Sequence, residues 1–274
     1  MINQFKRKEK KYVIDADIAD SIKETSERVV LHAVDKDIYR YANIKTIYLD
    51  NDDYLIYHIK KNKNEIRYKI RIREYKNKVS NHCIWVELKE KINNISYKNR
   101  FKIKKKYLND FLDGKDLLHK VYKVNKNQES KRIKFLYNKI QELIKEHNFI
   151  PKFAVEYSRC AFEKGLDNGL RLTFDSDLCC YPVNKDNLFS EPVEKIFFNQ
   201  NKAIMEVKSR DKLPTWFDSL KKENEVKRSK FSKFVFGLES LFTVDNEAPL
   251  EIHNNYIAVG NMNEEKVDNL LLVN

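Results

Sequence analysis

The stretch IRYKIRIREY, residues 66–75, alternates apolar and charged side chains along its length. Because successive side chains of a β-strand point to opposite faces, this alternation predicts a strand with one apolar face and one cationic face. The apolar face carries Ile66, Tyr68, Ile70 and Ile72, and the cationic face carries Arg67, Lys69, Arg71 and Arg73.

The stretches 84–91, 97–104, 170–175 and 203–210 alternate in the same way, and acids join the cations on their charged faces. Those faces carry Trp85, Glu87, Lys89 and Lys91; Lys98, Arg100, Lys102 and Lys104; Arg171, Thr173 and Asp175; and Glu206, Lys208 and Arg210. In an open antiparallel sheet they would meet water, whereas in a closed barrel they would line an interior. Repulsion between like charges on neighbouring strands favours an interior that holds a polyanion, but the spacing alone leaves both architectures open.

The chain of 274 residues is strongly basic, with 53 Lys and Arg against 41 Asp and Glu and a formal net charge of +12. This excess predicts a polyanionic partner such as nucleic acid, anionic lipid or a phosphorylated small molecule. Because the sequence is rich in Lys, Asn and Ile throughout, many of the lysines could simply be solvated surface. The positions of the charges therefore carry more information than their sum.

The four cysteines form no C-x-x-C pair and have no histidine at zinc-finger spacing. We interpret them as reduced thiols and expect a cytoplasmic protein. The N-terminal stretch MINQFKRKEKKYVI lacks the apolar segment of a signal peptide, and the sequence has no long uncharged apolar run of the kind that crosses a membrane.

Helical spacing of apolar residues predicts three helices. They are expected from Asp15 or Asp17 to about Val29, over residues 129–147, and over residues 214–240 with Gly237 as an interruption. We expect them to pack against the sheet. The 5 Gly and 5 Pro do not cluster, so no flexible linker between domains is predicted.

The charged strands belong to an ordered series of motifs along the chain. The series is RKEKKY (7–12), TIYLD (46–50), KIRIREY (69–75), WVELKEK (85–91), EYSRCAFE (156–163), LRLTFDSDL (170–178), IMEVKSR (204–210) and KFSKF (230–234). In this order the motifs resemble the VTC domain, the polyphosphate-polymerase domain of the vacuolar transporter chaperone family, which belongs to the triphosphate tunnel metalloenzymes. The resemblance covers roughly residues 5–240.

The resemblance implies an α+β fold, a closed antiparallel β-barrel of about eight strands that forms a charged tunnel, with helices packed outside and at one mouth. We expect a tunnel domain over residues 1–240 and a C-terminal tail of unknown role over residues 241–274. Since no phosphoinositide-binding domain precedes this match and no membrane segment follows it, we expect a stand-alone catalytic domain.

Carried onto this sequence, the resemblance also implies the site residues. The side chains that bind phosphate would be Lys11, Arg71, Arg73, Lys89, Arg159, Arg171, Lys208, Lys230, Ser232 and Lys233. Glu206 would be the main carboxylate holding Mn²⁺ or Mg²⁺, with Glu9 and Glu87 as nearby tunnel acids. Because Val155 and Tyr157 share the face of Arg159, a bulge or twist is expected to aim Arg159 inward.

The implied activity is transfer of the γ-phosphate of ATP to inorganic phosphate and then to a growing polyphosphate. Arginine keeps its charge and grips phosphate oxygens with a planar fork, while lysine supplies point charges that can follow a sliding chain. An acceptor phosphate is already an anion and needs no general base, which agrees with the lack of an obvious Ser-His-Asp or Cys-His set in the sequence.

Three alternatives stay open. A hydrolase of the same fold would cleave tripolyphosphate or a nucleoside triphosphate with water, a binding protein would hold a polyanion without catalysis, and a degenerate barrel would be purely structural. Nucleic acid is not the expected partner, because acids lie among the cations on the same strand faces. The expected partners are ATP, inorganic phosphate and polyphosphate, and an unknown membrane partner that receives the product is also possible.

Overall fold

The structure is a computed structural model that describes residues 8–31, 41–76, 82–93, 95–162, 170–209 and 212–244. The fold is α+β, with one large antiparallel sheet. The strands are β1 (Lys8–Asp15), β2 (Tyr41–Asp50), β3 (Arg67–Tyr75), β4 (Cys83–Ile92), β5 (Ile95–Lys104), β6 (Ile150–Phe162), β7 (Arg171–Pro182), β8 (Ile196–Phe197), β9 (Lys202–Ser209) and β10 (Arg228–Ser229). The helices are α1 (Ala16–Leu31), α2 (Leu55–Lys61), α3 (Leu108–Leu112), α4 (Leu118–Val124), α5 (Ser130–His147), α6 (Thr215–Glu223) and α7 (Lys233–Val244).

The strands predicted from alternation are confirmed as β3, β4, β5, the first half of β7, and β9. The predicted helices near the N-terminus and over residues 129–147 are confirmed as α1 and α5. Arg210 and the predicted tail beyond Val244 lie outside the described residues.

The single helix predicted over residues 214–240 is wrong. The chain leaves α6 after Glu223, adopts a left-handed backbone at Glu225 with φ 48°, forms the short strand β10 and only then enters α7. Gly237 does not interrupt α7. A Cβ at this position would lie 2.5 Å from Cε2 of Phe153, so the glycine lets the helix approach β6 closely.

The expected closed barrel is also wrong. Hydrogen bonds join the strands in the order β10-β1-β9-β7-β6-β2-β3-β4-β5, with β8 beside β7, and within the described residues no pairing joins β10 to β5. The free edge of β5 is occupied by Asn125, whose side chain accepts from the amide of Lys102 and donates to its carbonyl, both at 2.8 Å. Asn125 thus occupies, at Lys102, the backbone groups that a further strand would use, and the opposite edge strand β10 has two residues.

The open sheet is nevertheless strongly curled. Five strands lie between β1 and β4 in the ladder, which would place these strands about 29 Å apart in a flat sheet. Yet the charges of Glu9 on β1 and Glu206 on β9 act on the pKa of Lys89 on β4. The charged face is therefore concave, and its two ends face each other.

Helices cover the convex, apolar face of the sheet, as expected. Ile72 of β3 shares a hydrophobic cluster with Ile140 of α5. A second cluster joins Met205 of β9 to Ile22 of α1 and Phe217 of α6. This packing fixes the direction of the opposite, charged face.

Helix α7 is different because it lies on the concave face. The ring of Phe234 packs 5.4 Å from Tyr48 and 5.5 Å from Phe153, measured between centroids. Tyr48 lies directly opposite Arg71 in the ladder, so both belong to the charged face. Within the described residues, each helix is too short or too polar to span a lipid bilayer.

Candidate functional site

One end of the concave face is built by β3, β4 and β5, and we call its inward-facing residues the Glu87 arm. Its members are Lys69, Arg71, Arg73, Glu87, Lys89, Lys98 and Arg100. The ladder places Arg71 and Arg100 on either side of Glu87, and Lys98 opposite Lys89. The arm thus holds six cations and one carboxylate, which leaves a strong positive excess.

Glu87 is fully buried at the centre of this arm. Its carboxylate accepts from Nε of Arg71 at 2.7 Å and lies 3.0 Å from Nζ of Lys98, 3.5 Å from Nη1 of Arg100 and 4.0 Å from Nη1 of Arg73. Burial alone would raise the pKa of Glu87, but the charges of Arg73, Arg71 and Lys98 hold it well below its ordinary value. Glu87 is therefore an ionised counter-charge that keeps neighbouring cations in place.

The other end is built by β1, β9 and the start of β7, and we call it the Glu206 arm. Its members are Glu9, Lys11, Arg171, Thr173, Glu206 and Lys208. Nζ of Lys208 lies 2.7 Å from Oε1 of Glu206 and 3.7 Å from Oε2 of Glu9. Nζ of Lys11 lies 3.5 Å from Oε1 of Glu9 and 3.9 Å from Oε2 of Glu206. Two carboxylates and two lysines thus form one group.

The carboxylate of Glu206 is ionised in this group. Burial would raise its pKa, but the charges of Lys208 and Lys11 lower the pKa of Glu206 to about 2. Hard oxygen ligands of this kind fit Mg²⁺ or Mn²⁺, with the remaining positions left to water and phosphate. Among the described residues no cluster of three or more acids, histidines or cysteines could hold a metal, so the structure does not bring Glu87 together with Glu9 and Glu206.

Asp175 is a buried carboxylate that lies between the two arms. Its place on a charged face follows from the alternation of the strand, but the resemblance gives it no role. It accepts from Nε of Arg159 at 2.5 Å, from Nη2 of Arg159 at 2.7 Å and from Nζ of Lys233 at 2.5 Å. Burial would raise the pKa of Asp175, but the charges of Arg159 and Lys233 hold it well below its ordinary value. Asp175 therefore holds a cation of β6 and a cation of α7 side by side.

Arg159 reaches the interior by a different route from the one expected. Val155 lies opposite Thr46, which itself lies opposite Arg73, so Val155 shares the concave face. Tyr157 is inward-facing too, with its ring 5.3 Å from the Arg159 guanidinium. The bulge lies in the partner strand, because Glu156 pairs with Cys179 and Ser158 with Ser176. This extra residue of β7, near Asp177 with φ 53°, lets Asp175 face Arg159.

The segment before α7 completes the lining. Oγ of Ser232 accepts from Nζ of Lys69 at 3.3 Å, and the charge of Lys230 lowers the pKa of Lys60 on α2, after burial and the charges of Arg67, Lys91 and Lys11. The predicted phosphate-binding residues thus lie on or beside one concave face. The same face, or its border, also carries residues that the predicted site does not include, namely Lys60, Lys69, Lys98, Arg100, Tyr157 and Asp175.

Several buried polar atoms of the concave face have no hydrogen-bond partner in the part of the chain that the structure describes. They are Oγ1 of Thr46, Nε of Arg73, Oη of Tyr157 and Oγ1 of Thr173. A buried donor without a partner costs about 1–3 kcal/mol. Oxygen-rich anions in the concavity would satisfy these donors, so the interior is complementary to phosphate in hydrogen bonding as well as in charge.

The chain is similar in sequence to a known protein family and to several known proteins. The family model described as the VTC domain matches residues 6–242. Vacuolar transporter chaperone complex subunit 4 of Schizosaccharomyces pombe is 28% identical over 231 residues, which cover 73% of this chain and 32% of that protein. The protein of the same name from Trypanosoma cruzi is 25% identical over 228 residues, covering 73% of this chain and 28% of that one.

The chain therefore spans about a third of the length of the curated relatives it matches. Among solved structures, a Hippeastrum protein in which a dominant triphosphatase activity is described is 11% identical. That match covers 84% of this chain and 94% of that chain at a TM-score of 0.44, a similarity too low to support an inference.

Proposed function

The chain belongs to the VTC domain family, and from this premise we propose that it is a metal-dependent polyphosphate polymerase. It would transfer the γ-phosphate of ATP to inorganic phosphate and then to the growing polyphosphate. The observation that carries the proposal is the concave face, where six cations of the Glu87 arm face those of the Glu206 arm. A chain of phosphoryl groups carries negative charge along its whole length, and the cations of such a concavity would neutralise that charge.

The cations would divide the work by position. Arg71, Arg73 and Lys89 hold phosphoryl groups from one side, and the cations of the Glu206 arm (Lys11, Arg171 and Lys208) hold them from the other. Arg159 and Lys233, which Asp175 holds side by side, would bind phosphoryl groups in the same concavity. Lys230 and Ser232 would extend its lining towards α2. Fixed guanidinium forks orient the reacting phosphorus, while lysines accommodate a chain that moves.

Glu206 and Glu9 would hold the metal, since they are the two carboxylates that lie together in the concavity. A bound Mn²⁺ or Mg²⁺ supplies neutralisation of the charge on the transferred phosphoryl group. Lys11 and Lys208, which now pair with these carboxylates, would then turn to the phosphate oxygens. Glu87 has no such freedom, because four cations already surround it.

The reaction would depend on positioning and electrostatics. The bond between the γ-phosphorus and the β,γ-bridging oxygen breaks, ADP leaves with the electron pair, and a new P–O bond forms to the acceptor phosphate. Because the acceptor oxygen is already anionic, no side chain has to remove a proton. The cations of both arms would hold donor and acceptor in line, which supplies most of the rate enhancement.

We propose that residues 1–240 form the catalytic unit and that it works in the cytoplasm with ATP and polyphosphate as its partners. The free state of Cys83, Cys160, Cys179 and Cys180 supports a reducing compartment. The names of the relatives describe them as subunits of a larger complex.

The test is direct. The 274-residue chain is incubated with ATP, inorganic phosphate and Mn²⁺, and the products are resolved on a polyacrylamide gel stained for polyphosphate. We expect a ladder of polymers together with one ADP for each phosphoryl group added. Release of free phosphate from ATP without polymer would instead identify a hydrolase of the same fold, and no turnover with intact polyanion binding would identify a binding protein.

A further inference from the structure

Two lysines of the concavity stand apart from the paired charges described above. Lys69 on β3 donates from Nζ to Oγ of Ser232 at 3.3 Å and lies 4.3 Å above the ring of Phe234. Lys60 lies at the end of α2 and is partly buried. Among the residues that the structure describes, no ion pair joins either lysine to a carboxylate.

The charged groups that act most strongly on Lys69 are cations, and one of them, Lys89, lies directly opposite it in the ladder. They are Lys60 of α2, Arg71 of β3, Lys89 of β4 and Lys11 of β1, together with the uncharged Ser232 and Phe234 of the α7 side. Around Lys60 lie Arg67, Lys91, Lys11 and Lys230. Glu9 and Glu206, whose charges act on the neighbouring Lys89, already pair with Lys11 and Lys208. Glu87 on the paired strand is already held by Arg71 and Lys98.

This surplus of cations has a consequence for protonation. Burial and the charges of Lys60, Lys89, Lys11 and Arg71 lower the pKa of Lys69 well below its ordinary value. A neighbouring anion acts in the opposite direction, because it favours the charged ammonium. The protonation state of Lys69 is therefore coupled to what occupies the concavity.

We propose that Lys69, Lys60 and the Ser232 hydroxyl form a phosphate subsite that takes up a proton from solvent as a phosphoryl group of the ligand enters it. The ligand class is a linear polyphosphate, so the proposal rests on the function proposed above. The proton uptake would match the charge of the subsite to its occupancy. The lowered pKa of Lys69 reduces repulsion among these cations when the concavity is empty, and an arriving phosphoryl group favours the ammonium form, which donates to it.

The experiment measures how many protons the protein takes up when it binds the ligand. The full chain is titrated with tripolyphosphate by calorimetry, without divalent metal, in two buffers of different ionisation enthalpy at the same near-neutral pH. Lys69→Arg keeps a permanent charge, and the ligand's own protonation contributes equally to both proteins. We expect the wild type to take up as much as about one proton more per ligand than Lys69→Arg.

Two further variants complete the test. Lys69→Met removes the donor, and we expect its affinity for tripolyphosphate to fall about tenfold. The matched control is Lys134→Met on the exposed surface of α5, which should bind like the wild type. Equal proton uptake by the wild type and Lys69→Arg, or unchanged affinity of Lys69→Met, would overturn the subsite. If proton-linked binding is present but ATP yields no polymer, only the polymerase proposal fails.

Discussion

The two arms of the concave face treat their carboxylates in opposite ways. In the Glu87 arm one fully buried carboxylate meets four cations, and its oxygens are already engaged at 2.7–4.0 Å. In the Glu206 arm two carboxylates share two lysines, and the side chains of Glu206 and Glu9 remain 16% and 33% exposed. A buried acid among several cations holds those cations in place, whereas an acid that shares few cations and is open to the interior can still bind a metal.

The contrast also separates positioning from binding among the cations. Arg71 is oriented by Glu87, and Arg159 and Lys233 are oriented by Asp175. These acids reduce the charge repulsion that a wholly cationic face would suffer without a ligand, yet they leave a net positive excess for the phosphates. The arms would act as one site only when an anion lies between them.

The largest effect is expected on turnover, when the central carboxylate of the Glu206 arm is removed. Glu206→Gln removes the metal-binding carboxylate without changing its size, so we expect metal-dependent turnover to fall by about 100-fold or more. Binding of tripolyphosphate without metal should persist, because the cations remain. Turnover is measured as ADP formed from ATP across a Mn²⁺ series, with Glu87→Gln as the matched carboxylate variant. Wild-type turnover by Glu206→Gln would remove Glu206 from the metal site.

A second prediction breaks the Glu87 arm, and its main effect is on stability. Glu87→Gln leaves four cations without their buried counter-charge, so we expect the free energy of unfolding to fall by about 3 kcal/mol. Urea denaturation measures this change, and Glu206→Gln, whose carboxylate is less buried, should lose less. Saturating tripolyphosphate should restore part of the stability of Glu87→Gln, since the ligand replaces the lost negative charge. Equal stability of Glu87→Gln and wild type would contradict a structural role.

The smallest expected effect is a difference in pH dependence between the arms. The folded-state pKa of Glu87 lies well below the ordinary value of about 4.3, so its contribution to stability is full above that value and is lost as pH falls. The same sign holds for Glu206, whose contribution is lost between about 4.3 and its folded pKa of about 2.

We therefore expect the unfolding free energy of the wild type to fall as pH drops from about 5 to about 3, by about 1 kcal/mol more than that of Glu87→Gln. Urea titrations at several pH values check this. Glu206→Gln should flatten the curve less than Glu87→Gln does. A steeper curve for Glu87→Gln than for the wild type would reverse the sign and contradict the assignment.

Most of the charged lining could be predicted because it follows from side-chain alternation. Arg71, Arg73, Glu87 and Lys89 face inward since their strands have period two, and this holds in whatever sheet the strands form. By the same parity Lys69, Lys98 and Arg100 could have been included in the predicted site. Their charges were visible in the sequence, but the resemblance assigned none of these three residues a role.

Other features carried no local signal. The bulge in β7 that turns Asp175 towards Arg159 depends on one extra residue relative to β6, and pairing between two strands is not written in either strand alone. Lys60 lies on α2, whose position is set by the packing of its buried residues against the hydrophobic core. The hydrogen bonds of Asn125 at the edge of β5 join residues 23 positions apart, and the open order of the strands depends on such long-range pairing.

The order of the motifs was enough to indicate the VTC domain family. The alternation of apolar and charged residues was enough to predict strands with one charged face, because alternation is a property of neighbours along the chain. Only the tertiary structure decided which acids hold cations in place and which remain available to a metal. Burial and the number of cations around each carboxylate arise from strands and helices far apart in sequence, and electrostatic energy depends on those distances and on the surrounding dielectric.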